Sequence, residues 1–341
     1  MLPALLTYEA SVSKLSWPGA VDALRRGHQL PRPEQGDLLL GSDDARLLNR
    51  AARIEGLGFA VKADSVFPGN AQKGLPSVQG AVLLFDGDCG TVRAVIDSRL
   101  VTHYKTAADS LLGAQCLARA DSRHLVILGA GAVAGTLARA YDAAFPDIER
   151  ISIWSRRPEQ AKALAATLGD LRAKVTAAAD VADAVRAADI VTAATMARSP
   201  ILRGEWVRPG THVDLIGAFT PDMREADDAL IAAGLVYVDF METVMDRIGE
   251  IMQPIAAGAI ERSHIRGDLY DLVAAGATSR QSGDQITVFK NGGGAHLDLM
   301  IASYVVDAVI ASVCNAGVGL GCEPINMAWT FNELRTVSKY R

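Results

Sequence analysis

The stretch from Arg123 to Gly135 constrains the fold more than any other part of this chain. An apolar run, His124 to Leu128, leads into Gly129-Ala130-Gly131-Ala132-Val133-Ala134, and a helical run, Thr136 to Ala144, follows. That order is what a dinucleotide pyrophosphate requires. Gly129 permits the tight turn, Gly131 lets backbone approach the phosphates, and Ala134 allows close packing of helix on strand. The N–H groups at the helix start, on Ala132 and Val133, then face the anion with the positive end of the helix dipole. Glycine-rich turns occur in any α/β domain; the readable strand before this one and the helix after it mark a cofactor site.

The surrounding pattern agrees. From His124 onward strands and helices alternate: Ile151 to Trp154, the helical Pro158 to Leu168, then strands at Asp189 to Ala194, Thr211 to Ile216 and Leu235 to Asp239. A helical segment is predicted over 261–274, a last strand over 285–290 and a helical run over 295–313. Such alternation predicts a doubly wound parallel sheet. The first hundred residues read differently. Ser16-Trp17-Pro18 opens a short helix stopped by Gly27, and a polar stretch, His28 to Gly36, carries Arg32 between two prolines. Leu57 to Val66 reads as a strand with one lysine, Lys62; two further apolar runs, Ser77 to Phe85 and Thr91 to Ile96, flank the turn Asp86-Gly87-Asp88. Arg99 to Arg119 is helical by its three- and four-residue spacing, and Lys105 near its start reads most simply as a solvated charge.

The second strand of the parallel sheet bears on the choice of cofactor. An acid about 20 residues past the glycine motif bonds the ribose 2′-hydroxyl of NAD, whereas an arginine there accommodates a 2′-phosphate. Here that place holds Ser155-Arg156-Arg157. Two guanidiniums at a helix start oppose the dipole unless they serve an anion, so NADP(H) is the expected cofactor, with NAD(H) as the alternative.

The chain has 341 residues, enough for two domains, and a net charge of −5, which argues against a general nucleic-acid binder. No apolar run is expected to reach the ~18 residues of a membrane span, and the N-terminal residues lack a secretory layout. Cys89, Cys116, Cys314 and Cys322 are scattered, which fits reduced thiols in the cytoplasm. Six histidines without H-E-x-x-H argue against a metal enzyme.

With these residues in place, the chain resembles the ornithine cyclodeaminase/μ-crystallin family. The resemblance runs through Val61-Lys62, Ser65-Val66-Phe67-Pro68-Gly69-Asn70, Gly74-Leu75-Pro76, Gln79-Gly80 and Leu83-Leu84-Phe85-Asp86. It continues through Lys105-Thr106-Ala107-Ala108, Gly129-Ala130-Gly131, Ile216-Gly217-Ala218 and Ile286-Thr287-Val288-Phe289-Lys290. It implies an α/β protein in which an NADP(H)-binding Rossmann domain, residues 120–294, is inserted into an α+β substrate-binding and dimerisation domain formed by 1–119 and 295–341. It also implies a homodimer and a substrate facing the nicotinamide. Lys62 and Lys105 would hold the substrate carboxylate, assisted by Arg32. Ser77, Thr106, Thr195, Ile216, Asn291 and Gly292 fall where family members contact the cofactor.

Two departures from the family pattern are informative. Lys105 stands where arginine is usual, replacing a bidentate fork with a point charge. Phe219, in Gly217-Ala218-Phe219-Thr220-Pro221, stands where the cyclodeaminases carry an aspartate. Phenylalanine cannot accept a proton, so cyclisation of ornithine is disfavoured, while an apolar ring would suit a pocket for one. The expected activity is therefore NADPH-dependent reduction of a small cyclic α-imino acid, Δ1-pyrroline-2-carboxylate to proline, with the piperideine analogue second. Asp298 would balance an iminium charge, and His296 is a candidate proton donor; each has an equally simple structural reading. An alanine-type dehydrogenase, a cyclodeaminase and a non-catalytic NADPH-dependent ligand carrier stay open as alternatives.

Overall fold

The computed structural model describes residues 3–276, 279–280 and 282–315; Cys322 and the rest of the tail lie outside the described residues. The chain begins with β1 (Ala4–Leu6), α1 (Tyr8–Ser11) and α2 (Trp17–Gly27), followed by β2 (Glu34–Ser42), β3 (Ala45–Ile54), β4 (Gly58–Val66), β5 (Val78–Phe85) and β6 (Val92–Asp97). Next come α3 (Ser98–Leu117), β7 (His124–Leu128), α4 (Ala132–Ala144), β8 (Arg150–Trp154), α5 (Pro158–Ala166), β9 (Lys174–Ala177), α6 (Val181–Ala187) and β10 (Ile190–Ala193). The remainder is β11 (His212–Leu215), α7 (Asp228–Ala233), β12 (Leu235–Val238), α8 (Met241–Val244), α9 (Gly249–Ala256), α10 (Leu269–Ala275), β13 (Thr287–Lys290) and α11 (Ala295–Asn315). These fall into two compact units. One comprises residues 3–16, 33–102 and 298–315, the other 17–32 and 103–297. The sequence places the domain boundaries at 119/120 and 294/295.

The first unit is a six-stranded sheet ordered β1-β6-β5-β4-β3-β2, antiparallel except for the β1–β6 pair. Asp86 shapes the β5–β6 turn by accepting from the Asp88 and Cys89 N–H groups through Oδ1. Alternation along paired strands separates two faces. One carries Ala52, Ile54, Ala60, Val82, Leu84, Ala94 and Ile96, all buried. The other presents Leu5, Leu38, Leu40, Leu47, Phe59 and Leu83, each 37% to 63% exposed. The β2–β3 hairpin was not legible in the sequence, because Leu38-Leu39-Leu40 places apolar residues on both faces and erases the period of two.

The second unit is a seven-stranded, wholly parallel sheet ordered β12-β13-β11-β10-β7-β8-β9. Strand order reverses between β7 and β10, the place where open α/β sheets receive ligands at the strands' carboxyl ends. Val126, Val191, Val213, Val288 and Val236 lie in register across five strands and are fully buried, forming a β-branched ladder. Burying each contributes roughly 1.5–3 kcal/mol. Helices α6, α7, α8 and α9 cover this ladder with Val185, Leu230, Ile231, Val244 and Ile251. On α3, Gly113 is required by packing: a β-carbon there would come within 2.7 Å of the Phe289 ring.

Two expectations need correction, and two elements are added to those the sequence suggests. The segment 261–274 is not one helix: only α10 is α-helical, because Gly267 adopts φ +152° and Asp268 caps the helix after it. The strand β9 and helix α6 also went unread, being short and of mixed polarity. Finally, Ala295–Cys314 is long and apolar enough to cross a membrane by length and composition, since Asp298 and Asp307 are its only charges. Its most apolar window is 56% buried within the protein, and Asp298 pairs with Lys62, as expected of a core helix.

Candidate functional site

At the carboxyl end of β7, Gly129 adopts φ +121°, and a β-carbon there would lie 2.6 Å from the Ala194 carbonyl oxygen. Glycine is thus required both by the turn and by contact with the end of β10. Gly131 is the N-cap of α4 and makes no side-chain cap, and a β-carbon on it would meet open space. Ala132 and Val133, the first residues of α4, are exposed, while Ala134 is fully buried. An open glycine before uncapped N–H groups at the switch point fits a dinucleotide pyrophosphate. At the end of β8, the Arg157 N–H donates to Ser155 Oγ (3.3 Å). Arg156 and Arg157 are exposed, with no carboxylate ion pair among the described residues.

The ends of β10 and β11 are joined by a carboxylate that the sequence reading did not single out. Glu225, fully buried, accepts from Thr195 N–H and Thr195 Oγ1 through Oε1, both at 2.7 Å. Its Oε2 accepts from Gly217 N–H at 2.6 Å. Glu250, also fully buried, accepts from the backbone N–H groups of Glu225 (2.8 Å) and Ala226 (2.9 Å). Beyond these loops Met196 is 71% and Phe219 56% exposed, and Ile216 is half-buried.

Beside the end of β13 lies a buried ionic floor. Asn291 donates through Nδ2 to the Thr106 carbonyl and to Ser110 Oγ, both at 3.0 Å. Ser110 in turn donates to Asp214 Oδ1 (3.1 Å), and Thr192 donates to Asp214 Oδ2 (2.8 Å). Asp239 Oδ2 accepts from the Gly292 N–H (3.0 Å) and Gly293 N–H (2.5 Å), fixing the turn that follows β13. Lys290 Nζ donates to the carbonyls of Leu215 and Asn291, both at 2.8 Å. Burial pushes Asp214 up to about 7, and burial together with the Asp239 and Asp214 charges holds Asp109 well above the carboxylate range. Among the described residues neither Asp109 oxygen has a hydrogen-bond partner, and Asp109 lies one turn along α3 from Lys105. Lys105 is only 5% exposed, not a solvated charge; its Nζ lies 3.9 Å from where a Gly293 β-carbon would be.

Arg32 is neither a plain loop charge nor an open fork. Its guanidinium donates to both oxygens of buried Asp268 (2.7 and 3.0 Å) and lies 4.8 Å over the Tyr270 ring. His296, fully buried, packs 4.8 Å from Phe240 and 5.8 Å from His28, whose pKa burial lowers to about 4.

In the first unit, Lys62 on β4 is 5% exposed, with its Nζ 3.1 Å from Asp298 Oδ1 and 3.8 Å from Asp64 Oδ2. One cation between two carboxylates in a nearly dry setting is fixed in place by ion pairing before any ligand arrives. Ser77, half-buried just before β5, accepts the Phe67 N–H at its carbonyl (2.8 Å). Asp64 and the acids Asp109, Asp214, Glu225, Asp239 and Glu250 were not found by sequence reasoning. Isolated acids in apolar runs, as in Val213-Asp214-Leu215, were the available signal.

Comparison with known proteins agrees with this architecture. The description of the ornithine cyclodeaminase/mu-crystallin family matches residues 51–312. A Δ1-pyrroline-2-carboxylate reductase of Paracoccus denitrificans is 58% identical over 303 residues, 89% of this chain and 96% of the relative. The structure of Thermococcus litoralis Δ1-pyrroline-2-carboxylate reductase in complex with NADH and L-proline superposes with TM-score 0.83 at 28% identity, covering 91% of this chain and 98% of that one. An archaeal alanine dehydrogenase dimer with bound NAD gives TM-score 0.82 at 26% identity, covering 92% and 98%. With the matched segment spanning most of the chain and both sheets of the fold, this protein belongs to the ornithine cyclodeaminase/mu-crystallin family.

Proposed function

We propose that this protein is an NAD(P)H-dependent imine oxidoreductase that reduces a cyclic α-imino acid, Δ1-pyrroline-2-carboxylate to L-proline, with Δ1-piperideine-2-carboxylate to L-pipecolate as a second reaction. The likeness over 89% of the chain to a relative named for this reaction carries the reading. The loop Gly217-Ala218-Phe219, which offers no carboxylate, agrees with it. Gly129, Gly131, Ala132 and Val133 would hold the pyrophosphate, and Ser77, Thr106, Thr195, Ile216, Asn291 and Gly292 the rest of the cofactor. The bound nicotinamide supplies a hydride for the C=N carbon. Lys62 and Lys105 receive the substrate carboxylate, and rate comes from the positioning they impose. Asp298 holds the Lys62 ammonium in place through their ion pair and adds negative potential for an iminium nitrogen. Phe219 presents an apolar face to the ring. Arg32 assists by holding Asp268 and the start of α10.

Ser155, Arg156 and Arg157 support a preference for NADPH, because two unpaired guanidiniums suit a 2′-phosphate and no acid stands there to repel it. The exposed sheet face bearing Leu38, Leu40, Leu47 and Phe59 supports a homodimer formed through the first unit, which we assign to dimerisation and substrate binding. The deciding assay follows oxidation of NADPH by Δ1-pyrroline-2-carboxylate, beside NADH and beside pyruvate plus ammonia. NADPH-preferring turnover of the imine alone is the expected result. Turnover only with pyruvate and ammonia would replace this reading with an amino-acid dehydrogenase.

A further inference from the structure

Glu225 lies outside the residues expected to touch cofactor or substrate, yet it bridges the ends of two neighbouring strands, β10 and β11. Three donors converge on it from two loops, those after β10 and β11. The loops are in close contact: a β-carbon on Gly217 would come within 1.9 Å of the Thr195 carbonyl oxygen and 2.6 Å of Glu225 Oε1. Backbone N–H groups of Glu225 and Ala226 are in turn gripped by Glu250, so one buried acid anchors the segment that carries the other. Two fully buried glutamates are expensive in isolation. Burial lifts both pKa values, Glu250 to about 7, and every oxygen of the two accepts at least one hydrogen bond.

The consequence falls on Thr195. A threonine hydroxyl has one proton to donate and two lone pairs to accept with. Because that proton is committed to Glu225, the hydroxyl presents lone pairs only. We propose that Glu225 is a positioning residue for the dinucleotide: it sets Thr195 Oγ1 as a pure acceptor and locks the Thr195–Gly217 contact, so that the site selects a donor group of the cofactor, a ribose hydroxyl or a carboxamide NH2. The inference rests on the proposed dinucleotide site and goes beyond it, since it assigns a polarity to one contact and a role to a residue that does not itself touch the ligand.

In Glu225→Gln the oxygen can face only one set of donors, and the amide NH2 then opposes either Gly217 N–H or the Thr195 donors. NADPH binding to the full-length protein, followed by isothermal titration without imine substrate, is expected to weaken about tenfold. In steady state the KM for NADPH rises by a similar factor while kcat at saturation changes less than about threefold. Thr195→Val, which keeps the backbone bond to Glu225 but removes the hydroxyl, is expected to match that loss and guards against a Glu225 variant that fails to fold. Wild-type affinity in Thr195→Val, or a Glu225→Gln protein whose kcat and both KM values worsen in parallel, overturns the proposal while leaving the cofactor site intact. A wild-type protein that binds neither NADPH nor NADH overturns both.

Discussion

Lys62 Nζ lies 3.1 Å from Asp298 Oδ1, although 236 residues separate them in sequence and both are nearly buried. The pair ties the central strand β4 to the long helix α11. Removing one partner leaves an uncompensated charge in a dry setting, so Asp298→Ala should cost roughly 3 kcal/mol of stability, at the low end for a buried pair because Asp64 remains beside the lysine. Lys62→Ala leaves Asp64 and Asp298 without their shared cation and should cost at least as much stability; in the folded fraction it should lower kcat/KM for the imino acid about 100-fold, with cofactor affinity unchanged. Normal turnover in Lys62→Ala would remove it from the carboxylate site.

Replacing Arg156 and Arg157 together by alanine should raise the KM for NADPH at least tenfold and leave that for NADH within about twofold, since only the 2′-phosphate is addressed by these side chains. Steady-state kinetics with each cofactor decides it. An equal loss with both would mean that the arginines serve the whole nucleotide.

Gly129→Ala places a methyl group against the Ala194 carbonyl oxygen in a φ +121° conformation. The expected penalty is on the order of 2 kcal/mol or more, accompanied by loss of dinucleotide binding, read by urea unfolding and by titration. A variant that binds cofactor normally would show that the turn relaxes without consequence.

The dimer assignment predicts that Leu38→Glu with Leu40→Glu gives a soluble monomer in light scattering, because two charges on the open face cannot be buried against a second copy. Wild-type protein that is already monomeric would contradict it directly.

Burial raises Asp214 from 3.8 to about 7, so the native state holds its proton more tightly than the unfolded chain does. Its contribution to stability is fully present below about pH 4 and is lost as pH rises through about 7. Glu250 has the same sign, and His28, lowered to about 4, has the opposite one, contributing above its unfolded value and losing that as pH falls. The stability of wild type relative to Asp214→Asn should therefore decline between about pH 4 and pH 7 in urea titrations. A difference that is flat in pH would place the Asp214 pKa at its ordinary value.

The parallel sheet, the glycine turn and the family were legible in the sequence for a physical reason. Strand and helix periods, and the demand for glycine at Gly129 and Gly131, are local properties that nearby residues write directly into the chain. Lys62 could be noticed too, as a lone charge in an apolar strand. What sequence alone could not determine was pairing. Whether Lys105 was a surface charge or a buried one, and that Arg32 spends its fork on Asp268, depended on partners far away in the chain. The same holds for Glu225, which only tertiary structure placed against Thr195 and Gly217, and for the β2–β3 hairpin, whose register comes from its neighbours rather than its own alternation. Charges are legible one at a time in a sequence, but their energies depend on burial and on the group opposite, and only the folded chain decides those.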